Sequence, residues 1–181
     1  MLKRFKSLRI LTVIMLFLTA CSTWTVQAQP EAQATPKVVL YQTLLGKSVS
    51  DKRVVNFIVS NNCSSTSQFQ LCKDVGMALW TDASQIVKTV YLYSGNMDGF
   101  SRYRGKLPFG LSFYDPMWKV EEKLRDLNAD DTLQRAGLPD EIGSPDHIHY
   151  WAIYNRLNMT VMYNSPGADE DAYIYAILVN G

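Results

Sequence analysis

The sequence predicts an α+β domain in which two tandem helix-plus-antiparallel-strands repeats form one sheet with helices on one face. Three observations lead there. The segment Gly46-Lys47-Ser48-Val49-Ser50-Asp51 returns 64 residues later as Gly110-Leu111-Ser112-Phe113-Tyr114-Asp115, keeping Gly, Ser, an apolar residue and Asp at equal spacing ahead of a helical pattern. A hairpin pattern also occurs twice, its copies 82 residues apart. Finally, one helix with three strands buries a sheet face poorly, whereas two such units side by side close a common core. The repeats run from about 40 to 94 and from about 109 to 181.

The first copy opens on Ser50 or Asp51 as helix cap, followed by Val54, Val55 and Ile58 on one face and closed by Asn61 and Asn62. With Ser50 as the cap, Val49 and Val54 are placed to form a hydrophobic staple. Gln68 to Cys72 is a candidate strand. Val75 to Trp80 and Ile86 to Tyr93 flank the turn Thr81-Asp82-Ala83-Ser84-Gln85 and read as a hairpin of β-branched and aromatic residues. The connector from Ser94 to Gly110 carries turn-forming glycines before Pro108.

In the second copy Asp115 is the expected helix cap and Pro116 the first helical residue, where its missing N–H costs nothing. Met117, Val120, Leu124 and Leu127 follow at helical spacing. Because the helix starts are 64 apart and the hairpins 82, this copy holds about 18 extra residues, placed within Asn128 to Pro145 and read as a specificity insertion or as a loop with a short helix at Thr132 to Ala136. Strands are expected at His147 to Tyr154, Leu157 to Tyr163 and Ala172 to Val179, the last two around an acidic turn.

The N-terminus fixes the compartment. Residues 1–20 begin with Lys3, Arg4, Lys6 and Arg9, run apolar from Ile10 and end on small residues, the layout of a secretory signal. The 11 residues from Ile10 to Ala20 fall short of the roughly 20 that a spanning helix needs. Leu18-Thr19-Ala20-Cys21 resembles the bacterial lipobox, which implies cleavage before Cys21, its acylation, and anchoring by lipid. Cleavage near Val26-Gln27-Ala28 would instead release a soluble periplasmic protein, and an uncleaved leader would serve as anchor. Ser22 after the cysteine implies an outer-membrane destination. Residues 21–36 are polar with two prolines and suit a flexible tether before a domain from 37 to 181.

Without the leader, four of the 18 basic residues are lost, leaving 14 against 17 acids and a net charge near −3. That balance gives no concentrated basic surface of the kind nucleic acid requires, so no nucleic-acid partner is expected. In an oxidising compartment Cys63 and Cys72 are expected to pair, with two free thiols as the alternative.

Gly110, Ser112, Val120 and Leu124, with Gly137 and Pro139 beyond, resemble the G-x-S/T…V…L…G-x-P pattern of small envelope proteins similar to β-lactamase inhibitor protein and to the small lipoprotein of the outer-membrane assembly machine. The resemblance implies tandem copies that shape a concave sheet for gripping another protein. This chain departs from the pattern: Gly137 lies 13 residues after Leu124, and the first copy has no Gly-x-Pro.

No nucleophile–base set, carboxylate pair or metal-ligand motif is evident, so no catalytic residue, metal or cofactor is assigned. His147 and His149 stand two apart in an expected strand, near Glu141 and Asp146, and are read as structural or surface residues; a metal hydrolase built on them is the minor alternative. Asp169-Glu170-Asp171 reads as a solvated turn. The candidate partner-binding residues are Tyr91, Tyr93, Tyr173 and Tyr175, expected to share the sheet face away from the helices while Leu92 and Ile174 point inward; in the alternative register the tyrosines line the core and Val90, Leu92, Ile174 and Ala176 point out. The leading expectation is an outer-membrane lipoprotein that binds a protein in the periplasm, most concretely an immunity protein against a delivered toxin. The alternative is a scaffold for envelope assembly or maintenance.

Overall fold

The computed structural model describes residues 40–181 except 96–97, 128–131, 138–148 and 166. The leader, Cys21, the tether, Pro139, Glu141, Asp146, His147 and most of the expected insertion lie outside the described residues. No described helix is long and apolar enough to cross a membrane.

The architecture is α+β, dominated by one antiparallel sheet. The elements in chain order are α1 (Lys52–Ser60), β1 (Ser64–Ser65), β2 (Phe69–Cys72), β3 (Met77–Thr81), β4 (Val87–Tyr93), α2 (Met117–Arg125), β5 (Thr132–Gly137), β6 (His149–Tyr154), β7 (Met159–Tyr163) and β8 (Ile174–Asn180). The eight strands are ordered β1-β2-β3-β4-β8-β7-β6-β5. Strands β4 and β8 therefore meet at the centre, Leu92 opposite Ile177 and Val90 opposite Val179.

The two Gly-x-Ser segments fold alike. Gly46 and Gly110 both have φ near 70°, which glycine adopts without the Cβ clash of other residues. Ser48 Oγ accepts the Ser50 N–H at 3.2 Å, and Ser112 Oγ accepts the Tyr114 N–H at 3.2 Å. Asp51 N–H donates to the Ser48 carbonyl, and Asp115 N–H to the Ser112 carbonyl, each at 2.9 Å.

Beyond that point the two aspartates differ. Asp51 caps α1 by accepting the Arg53 N–H at 2.8 Å, which leaves Ser50 outside the helix and removes the Val49–Val54 staple. Asp115 does not cap α2. Pro116, extended at ψ 164°, takes the cap position, and α2 begins at Met117. Asp115 turns back instead to accept the Ser112 N–H at 2.7 Å.

Both helices press onto one sheet face. Val54 and Phe57 of α1 and Met117, Val120 and Leu124 of α2 join one buried cluster with Met77, Leu79, Val90, Leu92, Val161, Ile174 and Ile177. The α1 stripe is Val54, Phe57 and Ile58, so Val55 stays exposed; Leu127 is exposed because α2 stops at Arg125. Cys63 and Cys72 form a disulfide that ties the end of α1 to β2. Residues Thr132–Gly137 are strand β5 paired with β6, not a helix. A six-residue stretch has too little helical periodicity to resist an open sheet edge.

Candidate protein-binding surface

The predicted register of the central tyrosines holds, but their exposure does not. Leu92 and Ile174 face the helices, while Tyr91 and Tyr93 lie on the opposite face. There the chain leaving β4 folds back over the sheet. Phe100 stacks on Tyr93 with ring centroids 4.0 Å apart, leaving Tyr93 only 1% exposed. Tyr175, 2% exposed, donates its hydroxyl to Asp98 Oδ2 at 2.8 Å. Burial, with smaller contributions from neighbouring Tyr175, Tyr91 and Asp98, pushes the Tyr93 hydroxyl pKa well above its ordinary value. Tyr91 is half-buried, its ring edge-on to Phe69.

A bulge follows Tyr175: Met162 pairs with Ala176 and Tyr163 with Ile174, and Tyr175 and Ala176 both face away from the helices while Ile174 faces them. Tyr173 is half exposed and bridges to Pro116 at the start of α2. His149 begins β6. Among the described residues no group of three His, Cys, Asp or Glu side chains is placed to hold a metal.

The connector, the start of α2 and Tyr173 carry exposed aromatics, most of them without a role in the sequence analysis. Phe109, Tyr114, Trp118 and Tyr173 are large aromatics with roughly half or more of their area exposed. Trp118 N–H donates to the Glu170 carbonyl, which fixes the start of α2 against the turn leading to Tyr173. Phe109 has φ 53°, a left-handed conformation that is costly for an aromatic residue.

Beside these aromatics the connector forms a cleft of about 410 Å³, lined by Arg102, Tyr103, Lys106, Leu111, Phe113 and Tyr114 among others. The Arg102 guanidinium lies over the Tyr114 ring, 4.5 Å from its centroid, and donates to the Tyr114 hydroxyl and, through Nε, to the Ser94 carbonyl at 2.8 Å. Tyr103 is buried and packs against Gly105, where any Cβ would strike its hydroxyl. Its Oη, near the Tyr41 backbone, has no hydrogen bond of ordinary geometry. Burial, then the nearby Tyr41, pushes the Tyr103 pKa up to about 12, so the group remains a neutral donor near neutral pH.

The cleft wall is braced from α2. Lys123 Nζ donates to the Gly110 carbonyl at 3.0 Å and to Asp115 Oδ2 at 2.6 Å, while Lys119 lies 3.5 Å from Asp115 Oδ1. For Asp115, burial is the largest single influence and raises the pKa. The Lys123 hydrogen bond, the Ser112 N–H and the two lysine charges together outweigh it and hold the carboxyl below its usual range.

Residues 101–114 contain Arg102, Arg104 and Lys106 and no acid. All three cations are exposed, and none makes an ion pair among the described residues. The signal was legible as three cations at alternate positions interleaved with Tyr103 and followed by Phe109, Phe113 and Tyr114. It was absorbed by the turn-forming glycines around it. No protein-family model, curated protein or solved structure matches the chain.

Proposed function

We propose that this chain is an outer-membrane lipoprotein, lipid-anchored through Cys21, whose periplasmic domain binds another protein. The observation that carries the reading is the exposure of Phe109, Tyr114, Trp118 and Tyr173 on a chain whose neighbouring connector presents Arg102, Arg104 and Lys106. Tyr, Trp and Arg are the residues that supply most binding energy at protein interfaces, since they offer large contact area at small entropic cost. In the tyrosine set assigned from sequence, Tyr173 belongs to this surface. Tyr93 and Tyr175 are buried sheet residues instead, Tyr93 beneath Phe100 and Tyr175 bonded to Asp98, and Tyr91 is half-buried beside Tyr93.

The finer build is two tandem copies of a helix followed by four strands, the second copy pairing with the first through β4 and β8. Matching glycines at positions 46 and 110, matching Ser48 and Ser112 turns, and the mirrored strand order support it. In its most concrete form the module is an immunity protein that blocks a toxin arriving in the periplasm.

Two measurements test the reading. Mass spectrometry of the protein from cell membranes is expected to find an acylated product starting at Cys21; an unmodified later start or an intact leader contradicts the anchor. Co-expression with the products of adjoining genes is expected to yield a stoichiometric complex and protection from the bound toxin. Absence of any complex, or general envelope sensitivity on deletion with no toxin present, contradicts the immunity assignment.

A further inference from the structure

We infer that the connector cleft is a carboxylate-binding subsite that seats an acidic segment of the protein partner. This rests on the protein-binding reading and adds the chemistry of what is bound. Arg102, Arg104 and Lys106 concentrate three exposed cations on residues 101–114, against a mature chain whose net charge is near −3 (14 basic and 17 acidic residues after the leader is removed). A local field of opposite sign to the rest of the surface selects anionic partners and speeds their approach.

Two of these cations, Arg102 and Lys106, line the cleft itself. The Ser94 carbonyl and the Tyr114 hydroxyl hold the Arg102 guanidinium in place, so its charge is positioned before anything binds. The remaining walls, Leu111, Phe113 and the Arg102–Tyr114 stack, are apolar or aromatic. A segment that alternates carboxylates with an aromatic or aliphatic side chain therefore matches the lining. The Lys123 brace to Gly110 holds the wall in place before binding.

The test uses the full chain purified in detergent and two short fluorescent peptides, one with several Glu around a central Phe and one with Gln replacing each Glu. The Glu peptide is expected to bind about tenfold or more tightly than the Gln peptide, with affinity falling as salt rises. Arg104→Glu with Lys106→Glu is expected to abolish that preference, and Lys52→Glu on α1 to leave it unchanged. Arg104 and Lys106 are both exposed, so the double variant should melt at the wild-type temperature, which separates lost binding from lost folding. Equal binding of the two peptides, or a preference that survives the double reversal, overturns the proposal. Displacement of the Glu peptide by inorganic phosphate at far lower concentration than acetate also overturns it, by assigning the cleft to phosphate. A co-purified partner whose affinity ignores the charge reversals would sink the subsite and spare the protein-binding reading. A Glu preference with no partner in cells would do the opposite.

Discussion

The Phe100 ring lies flat on the Tyr93 ring, 4.0 Å between centroids and 15° from parallel, so the chain leaving β4 covers the tyrosine it has just placed. Lys73 reinforces the cover from below, its Nζ 5.5 Å from the Phe100 ring centroid and 2.7 Å from the Asp98 carbonyl.

Phe100→Ala is expected to lower stability by about 3 kcal/mol, the usual cost of deleting a buried aromatic, and to increase binding of a hydrophobic dye at the sheet face. Urea unfolding measures the first effect. A loss below about 1 kcal/mol would mean that Phe100 contributes little to burying this face.

Asp115 joins the cleft wall to α2 through Ser112, Lys119 and Lys123. Asp115→Ala is expected to cost about 1–3 kcal/mol, because it strands the Ser112 N–H, while the partly exposed lysines recover hydration. The folded pKa is depressed, so the stabilisation is fully present above the unfolded value and is lost as pH falls through the folded one. The difference in stability between wild type and Asp115→Asn should therefore shrink below about pH 4. A difference that is independent of pH from neutrality to pH 2 would contradict this.

The Cys63–Cys72 disulfide closes a short loop at the sheet edge. Replacing both residues with serine is expected to reduce stability by about 2–3 kcal/mol, read from urea midpoints, and a reductant should lower the wild-type midpoint similarly without affecting the variant. An unchanged midpoint would show that the disulfide contributes nothing to stability.

Three glycines separate strain from collision. Gly46→Ala and Gly110→Ala meet no atom within 4 Å and should each cost about 1 kcal/mol for the left-handed conformation alone. At Gly76 an added Cβ would lie 2.3 Å from the Ser101 carbonyl oxygen and 2.4 Å from the Tyr103 nitrogen, so Gly76→Ala should be far more damaging and should loosen the connector. Equal melting temperatures for the three variants would contradict the described packing.

Much of the fold was legible locally. The Gly-x-Ser turns, the start of α1 at Ser50 or Asp51, the inward Leu92 and Ile174 and the two hairpins all follow from short-range periodicity and turn chemistry. What failed depended on one residue or on distant chain. Pro116 displaced the α2 cap by its extended backbone, and the bulge after Tyr175 turned two neighbouring residues, Tyr175 and Ala176, to one face. The burial of Tyr93 depends on Phe100, whose stacking on it is a contact that no local pattern announces. Strand β1, two residues long, has no periodicity to read and exists through its pairing with Gln70 and Leu71. The connector cleft was missed for a related reason: its charge pattern was visible, but nothing local showed that Tyr103 would be buried beside it.

Site-specific photo-cross-linking in living cells tests the central claim most directly, with the reactive residue placed at Tyr114 or Trp118 and, as a control, at Val59 on α1, which is at least as exposed as either. The account predicts a discrete protein adduct from Tyr114 and Trp118 and none from Val59. No adduct from the connector surface, or adducts of equal yield from Val59, would contradict it.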